Sequence, residues 1–284
     1  MAEPVMKKAK GDGVEIQLAA WEGKGKTVLC IHGLTANCRC WDTIAEALAP
    51  DHKIFAMDLR GRGFSEKPSS GYSIDHHCQD ILAVMDSLEV EKAVLMGHSL
   101  GAFISLGFGA KHPDRVDSII LADGGGKLSE EQMAKVFEGI RPSLERLGQV
   151  FPSFEEYIDV LKKAPFFQPW SSALETYFRY ETEDLDEGVR SRVQPGNIQE
   201  EIINLGKVDV STFYPKISCP VLILRATEGM LASDDILLPQ EVVERMIQEI
   251  SDVKYVDIKE TNHYTLIFQE NETRDRSVLD FLAE

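Results

Sequence analysis

The sequence predicts an α/β protein: a doubly wound, mostly parallel β-sheet with a helical cap inserted behind one of its strands. Three observations carry this expectation. Short β-branched, apolar runs alternate with helical patterns along most of the chain. Several of those runs are almost uniformly apolar, as strands are when helices cover both sheet faces. The alternation stops near residue 127 and resumes near residue 216.

In chain order, strands are expected at 15–20, 27–31, 53–57, 93–96, 118–122, 221–224 and 254–258. Helices are expected between and beyond them at 41–48, 75–88, 102–111, 239–250 and 273–282. Within the interruption, Ser129-Glu130-Glu131-Gln132 has the form of a capping box that opens a helix. Further helical patterns follow at 154–163 and 172–182, with Pro165 and Pro169 as breakers, and strand patterns vanish. Apolar and aromatic residues recur there, among them Phe154, Tyr157, Phe167, Trp170 and Phe178. Phe167 and Trp170 are expected to shape substrate preference. The resulting division is a core from 1–126 and 216–284, with a helical cap at 127–215.

A chain of 284 residues buries a substantial core without disulfides or metal. The net charge of −17 repels phosphate backbones and anionic lipid, so neither nucleic acid nor a membrane is an expected partner. Glu181, Glu183, Asp184, Asp186 and Glu187 cluster in one stretch that reads as a solvated face or loop. The five cysteines are odd in number and form no CxxC pair, which points to unpaired thiols in a reducing compartment. The basic start at 1–10 is not followed by an apolar run, and no stretch reads as a secretory signal or a bilayer span. The expected location is the cytoplasm.

The sharpest motif is Gly97-His98-Ser99-Leu100-Gly101, between a strand and a helix rich in small residues. A serine in a strained strand-to-helix turn stands free of its neighbours, and small residues on either side let strand and helix approach. The helix N-terminus then faces the reacting centre and favours developing negative charge. Upstream, the run 28–31 ends in His32-Gly33-Leu34. In an elbow of this kind, the loop after that strand and the residue after the nucleophile supply the backbone donors of an oxyanion hole, here Leu34 and Leu100. His32 is expected to support the loop.

The expected base is His263, which follows the last strand pattern, in keeping with the order nucleophile, acid, histidine. His52, His76, His77 and His112 lie beside or within helices and are expected at the surface. Two carboxylates could orient the base: Asp123, at the end of the strand 118–122, and Glu228, just beyond 221–224. Asp234 and Asp235 lie farther out, in loop or helix-start positions.

These segments resemble the α/β-hydrolase superfamily, in the branch that carries a helical cap. The resemblance rests on His32-Gly33, Asp58-Leu59-Arg60-Gly61-Arg62-Gly63-Phe64-Ser65, the 97–101 pentapeptide, Ala122-Asp123 and Asn262-His263. Similar members are carboxylesterases, lactonases, thioesterases or carbon–carbon bond hydrolases, and the Asp58 run in them shapes a core loop without taking part in catalysis. Dehalogenases and epoxide hydrolases carry aspartate where Ser99 stands, so Ser99 points away from them. Many relatives carry the acid in a Gly-x-x-Asp loop after the penultimate strand. Here Ala226-Thr227-Glu228-Gly229 is one residue short and offers glutamate, whereas other relatives have the acid where Asp123 stands. Asp123 is preferred and Glu228 is the alternative.

The expected activity is cofactor-free and metal-free hydrolysis of a carboxylic ester of a small, fairly hydrophobic substrate through an acyl-enzyme. A carbon–carbon bond hydrolase or a lactonase is the alternative. The former wants cationic side chains for a carboxylate and an enolate, and Arg141, Arg179 and Arg190 in the cap are candidates by location. A non-catalytic small-molecule receptor on the same fold is the second alternative, since fold alone does not fix function.

Overall fold

The apolar runs pair into one sheet in a computed structural model that describes residues 3–284. The first six strands are β1 (Val5–Lys10), β2 (Glu15–Trp21), β3 (Thr27–Ile31), β4 (Lys53–Met57), β5 (Ala93–His98) and β6 (Val116–Ala122). A separate hairpin of β7 (Thr182–Leu185) and β8 (Gly188–Ser191) precedes β9 (Val221–Ala226) and β10 (Val253–Ile258). The main sheet has the order β1-β2-β4-β3-β5-β6-β9-β10. Its first two pairings are antiparallel and the rest are parallel.

The helices are α1 (Asp42–Leu48), α2 (Ile74–Ser87), α3 (Leu100–Lys111), α4 (Glu130–Glu145), α5 (Phe154–Leu161), α6 (Ser172–Glu181), α7 (Pro195–Leu205), α8 (Gln240–Glu249), α9 (Thr265–Phe268) and α10 (Glu272–Leu282). Side chains alternate across a strand, so each central strand feeds two cores. Val28, Val94, Ile120 and Leu222 pack with Ile44 of α1 and Phe281 of α10. Leu29, Leu95, Ile119 and Ile223 pack on the other face with α2, α3 and α8. Burial on both faces explains why these strands carry no polar alternation.

Between β6 and β9 the chain adds no strand to the main sheet and builds α4 to α7. The capping box forms: the Ser129 hydroxyl accepts from the Gln132 N–H at 3.2 Å, and the Gln132 side chain accepts from the Ser129 N–H at 2.8 Å. Phe154, Tyr157, Phe167 and Phe178 of this segment join the same core as α1 and α10.

Four expectations are corrected. β1 was hidden because its alternation is carried by lysines; as an edge strand it keeps charges outward, which discourages further pairing. The β7–β8 hairpin lies where strand patterns were expected to vanish: its acids point outward while Thr182, Val189 and Ser191 are buried. Glu181 belongs to no solvated face; it is buried and paired with Arg146 at 2.7 Å. His77 is not at the surface either: it is fully buried, with Nε2 2.7 Å from a Glu201 carboxylate oxygen.

Candidate active site

Ser99 stands alone between β5 and α3 with φ 55° and ψ −119°, a left-handed conformation that costs a non-glycine residue on the order of 1–3 kcal/mol. Close packing explains the flanking glycines. A Cβ on Gly97 would lie 2.2 Å from the Gly101 carbonyl oxygen, and one on Gly101 would lie 1.9 Å from that of Ile31. The turn is held from beneath by the Ser99 N–H, which donates to the Ala122 carbonyl of β6 at 3.2 Å.

The two expected backbone donors flank Ser99. Leu100 is the first residue of α3, so its N–H has no intrahelical acceptor. Leu34 follows β3, and its carbonyl accepts from Arg62 Nε at 3.0 Å, which fixes the loop. His32 supports the same loop: Nδ1–H donates to the Gly33 carbonyl at 2.7 Å, and Nε2 accepts from the Leu59 N–H at 3.0 Å. Both ring nitrogens are thereby used in the neutral form, and burial lowers the pKa of His32 to about 3.

His263 and Asp123 are brought together. Nδ1–H of the buried His263 ring donates to Asp123 Oδ2 at 2.8 Å. The other carboxylate oxygen accepts from the Ala226 N–H of β9 at 3.1 Å. Asp123 itself sits at φ 47° just past β6, and its N–H donates to the Leu224 carbonyl at 2.8 Å. Glu228 is not brought to the histidine: its side chain is exposed, and only its backbone N–H is engaged, with the Thr261 carbonyl at 2.9 Å. Asp235 is a loop tie that accepts from the N–H groups of Met230, Leu231 and Ala232.

One residue here was missed from sequence. His98 stacks on His263 with ring centroids 4.3 Å apart, and its Nε2–H donates to the His263 carbonyl at 2.9 Å. Burial, and next the proximity of His263, hold His98 well below the usual histidine range, so it stacks as a neutral ring. Its position inside the pentapeptide was visible, but the stacking depends on how the loop after β10 crosses the ends of β9 and β6 to reach β5.

Two cavities meet at Ser99, Leu34 and Ile140. The first lies on the His263 side and includes His98, Phe167, Tyr177, Phe268 and Arg146. The second lies on the Leu100 side and is walled by Phe103, Val136, Phe137, Met133, Ile202 and Leu205. The wall residues of α4 and α7 were not singled out from sequence, and no helix was expected where α7 stands. Trp170 lines neither cavity, contrary to its expected part in substrate preference; it stacks on Phe178 at 5.7 Å and packs against Phe167. Phe167 does line the first cavity.

The three arginines expected as candidates are paired with carboxylates. Arg141, Arg179 and Arg190 pair with Glu138 and Glu145, Glu155 and Glu183 respectively, away from Ser99. Arg146 borders the first cavity but is matched by Glu181 at 2.7 Å and the Tyr157 hydroxyl at 2.9 Å. Burial alone would lower the pKa of Arg146, yet Glu181 holds it above the ordinary value. Among the described residues no group of three or more His, Cys, Asp or Glu side chains could hold a metal ion, and no helix is long and apolar enough to cross a membrane.

This sheet order, elbow and late histidine define a class of protein. The chain belongs to the α/β hydrolase fold family, whose model matches residues 26–270. It is 26% identical over 222 residues to 2-(acetamidomethylene)succinate hydrolase of Mesorhizobium japonicum, covering 75% of this chain and 74% of that one. It is 25% identical over 264 residues to 3-hydroxybutyrate-oligomer hydrolase of Cupriavidus necator, covering 84% and 82%. The crystal structure of an E-2-(acetamidomethylene)succinate hydrolase superposes with a TM-score of 0.85 at 21% identity, covering 99% of this chain and 100% of that chain.

Proposed function

We propose that this chain is a serine hydrolase that cleaves a carboxylic ester with an apolar acyl group through an acyl-enzyme, beneath a helical cap formed by 127–215. The observation that carries the proposal is the 2.8 Å hydrogen bond from His263 Nδ1 to Asp123, with His263 and Ser99 lining one cavity. That bond fixes the tautomer whose Nε2 is free to accept a proton. Ser99 Oγ attacks the carbonyl carbon while His263 takes its proton, and Asp123 stabilises the imidazolium that results. The Leu34 and Leu100 N–H groups receive the oxyanion, where a single donor is worth about 2.7–4 kcal/mol of barrier. His263 returns the proton to the leaving oxygen; water then repeats the sequence and releases the acid.

The proton's route also divides the cavities. The leaving group must lie within reach of His263, which lines the first cavity and not the second. The acyl group therefore extends on the Leu100 side, against Phe103, Val136 and Phe137. The Arg146–Glu181 pair leaves the first cavity without a free cation, which favours an uncharged ester over the anionic ring-cleavage product of a carbon–carbon hydrolase. Both relatives named above are hydrolases, which supports the hydrolase part of this reading and not the choice of an ester; the first is named for a succinate, an anion that suits the alternative.

Treatment with a fluorophosphonate probe tests the proposal, together with turnover of nitrophenyl butyrate. Wild type is expected to be labelled at Ser99 and to turn over, whereas Ser99→Ala loses labelling and about 10⁴–10⁶ in kcat. An unlabelled wild type, or a Ser99→Ala variant with a tenth of the activity, overturns it. Faster cleavage of a ring-cleavage dienoate than of any ester returns the carbon–carbon reading.

A further inference from the structure

The acyl-side cavity comes close to the surface. It shares Phe103, Gly126, Leu128, Met133, Phe137 and Leu205 with a broad groove on the surface. The groove runs between α4 and the turn after α7 and reaches Ala134, Lys207 and Val208. Phe103, Leu128, Met133, Phe137 and Leu205 are only partly buried, as side chains are when they face an interior space on one side and solvent on the other. No more than one layer of side chains therefore separates the space beside Ser99 from the groove.

We infer that cavity and groove form one channel for a long linear acyl chain, with Met133 and Leu205 as the side chains that part to admit it; this rests on the hydrolase reading above. Three observations favour such an occupant. The interior walls are almost entirely aliphatic or aromatic, so they reward methylene groups and offer no partner for a polar substituent. The passage lies between two helices and is bordered by an unbranched thioether, which changes rotamer readily and yields to a thin, flexible group. The charges at the mouth cancel, because Lys127 pairs with Asp209 and Glu130 faces the same groove as Lys207. The mouth thus carries no net charge that would call for a charged tail.

The test is a series of nitrophenyl esters from acetyl to hexadecanoyl. For wild type, kcat/KM is expected to rise about fourfold per added methylene while the chain fills the cavity, and then to level off once it reaches the groove. Ala134→Trp, on an exposed position of the groove, and Leu205→Trp, at the passage, obstruct the route at different depths. Each should lower the dodecanoyl-to-butyryl ratio of kcat/KM by about tenfold or more, equivalent to roughly two methylenes left unburied. Met133→Ala should raise that ratio. A steep fall in wild-type activity beyond butyryl overturns the channel, as does an unchanged ratio in both tryptophan variants at wild-type melting temperature. Binding of cis-parinaric acid, read by its fluorescence, separates this from the hydrolase reading. If wild type binds the probe, the tryptophan variants bind it more weakly and no ester is turned over, the channel stands and the hydrolase reading falls. Ester turnover with no difference in probe binding between wild type and the tryptophan variants overturns the channel alone.

Discussion

Replacing Asp123 by asparagine separates the two carboxylates on chemical grounds. Asp123 uses both oxygens as acceptors, Oδ1 for the Ala226 N–H at 3.1 Å and Oδ2 for His263 Nδ1–H at 2.8 Å. Asparagine offers one oxygen and one NH2. The Ala226 N–H is fixed in β9 and can only donate, so it retains the oxygen and the NH2 turns toward His263. The neutral ring must then accept at Nδ1 and carry its proton on Nε2, the atom that in the proposed reaction receives the proton of Ser99. In the chymotrypsin-type triad the corresponding wrong tautomer costs about 10⁴ in kcat, or roughly 5.5 kcal/mol of barrier. The same loss is expected here, with little change in melting temperature because both hydrogen bonds persist with exchanged roles. Glu228→Gln alters an exposed side chain and should leave kcat within twofold. The assay is kcat for nitrophenyl butyrate on both variants, with the rate of fluorophosphonate labelling as a second readout. An Asp123→Asn enzyme within tenfold of wild type, or a hundredfold loss in Glu228→Gln, refutes the reasoning.

Ser99→Gly should abolish turnover yet raise stability by about 1 kcal/mol, because glycine adopts φ 55° without strain; a thermal melt below that of wild type contradicts this. Arg146→Met leaves Glu181 buried without its cation and should cost about 3–5 kcal/mol in urea denaturation. The double variant Arg146→Met/Glu181→Leu should recover most of that, and failure to recover shows that the loss was one of packing. Burial alone would raise the pKa of Glu201, but His77 and then Arg62 lower it to about 2, from an ordinary value of 4.5. A depressed acid contributes its stability above its unfolded value and loses it as pH falls through its folded one. Wild type should therefore lose on the order of 3 kcal/mol between about pH 4.5 and pH 2 that Glu201→Gln does not lose. Parallel stability–pH curves for the two proteins would remove Glu201 from the account.

The sequence made the central sheet legible because β3, β5, β6 and β9 are buried on both faces and must be apolar throughout. It marked Ser99 and His263 because an elbow needs glycines at fixed offsets and the histidine follows the last strand. Asp123 and Glu228 stayed open because both end strands at the same edge of the sheet, and only tertiary packing decides which carboxylate meets the ring. β1 and the β7–β8 hairpin escaped because strand preference depends on partners, and their charged faces look like loop in isolation. His77 and Glu181 escaped for a related reason. A charged side chain reads as exposed until a partner from a distant segment is known, and their partners lie 124 and 35 residues away.

The Asp58–Ser65 run, expected only to shape a core loop, does more than that in the folded chain. Asp58 accepts from the Cys38 N–H at 2.7 Å, the Phe64 N–H at 2.9 Å and, across to α6, the Tyr180 hydroxyl at 2.7 Å. Arg62 spreads one guanidinium over three partners: the Leu34 carbonyl, the Arg60 carbonyl and Glu201 of α7, each at 3.0 Å. Glu201 adjoins Ile202, which walls the second cavity, and Leu34 borders both cavities. A single, fully buried cation therefore ties the loop that carries Leu34 to the helix that walls the second cavity. Lysine could not do this, because its point charge has no fork with which to hold two carbonyls and a carboxylate at fixed angles. The run thus couples the seating of α6 and α7 to the loop beside Ser99.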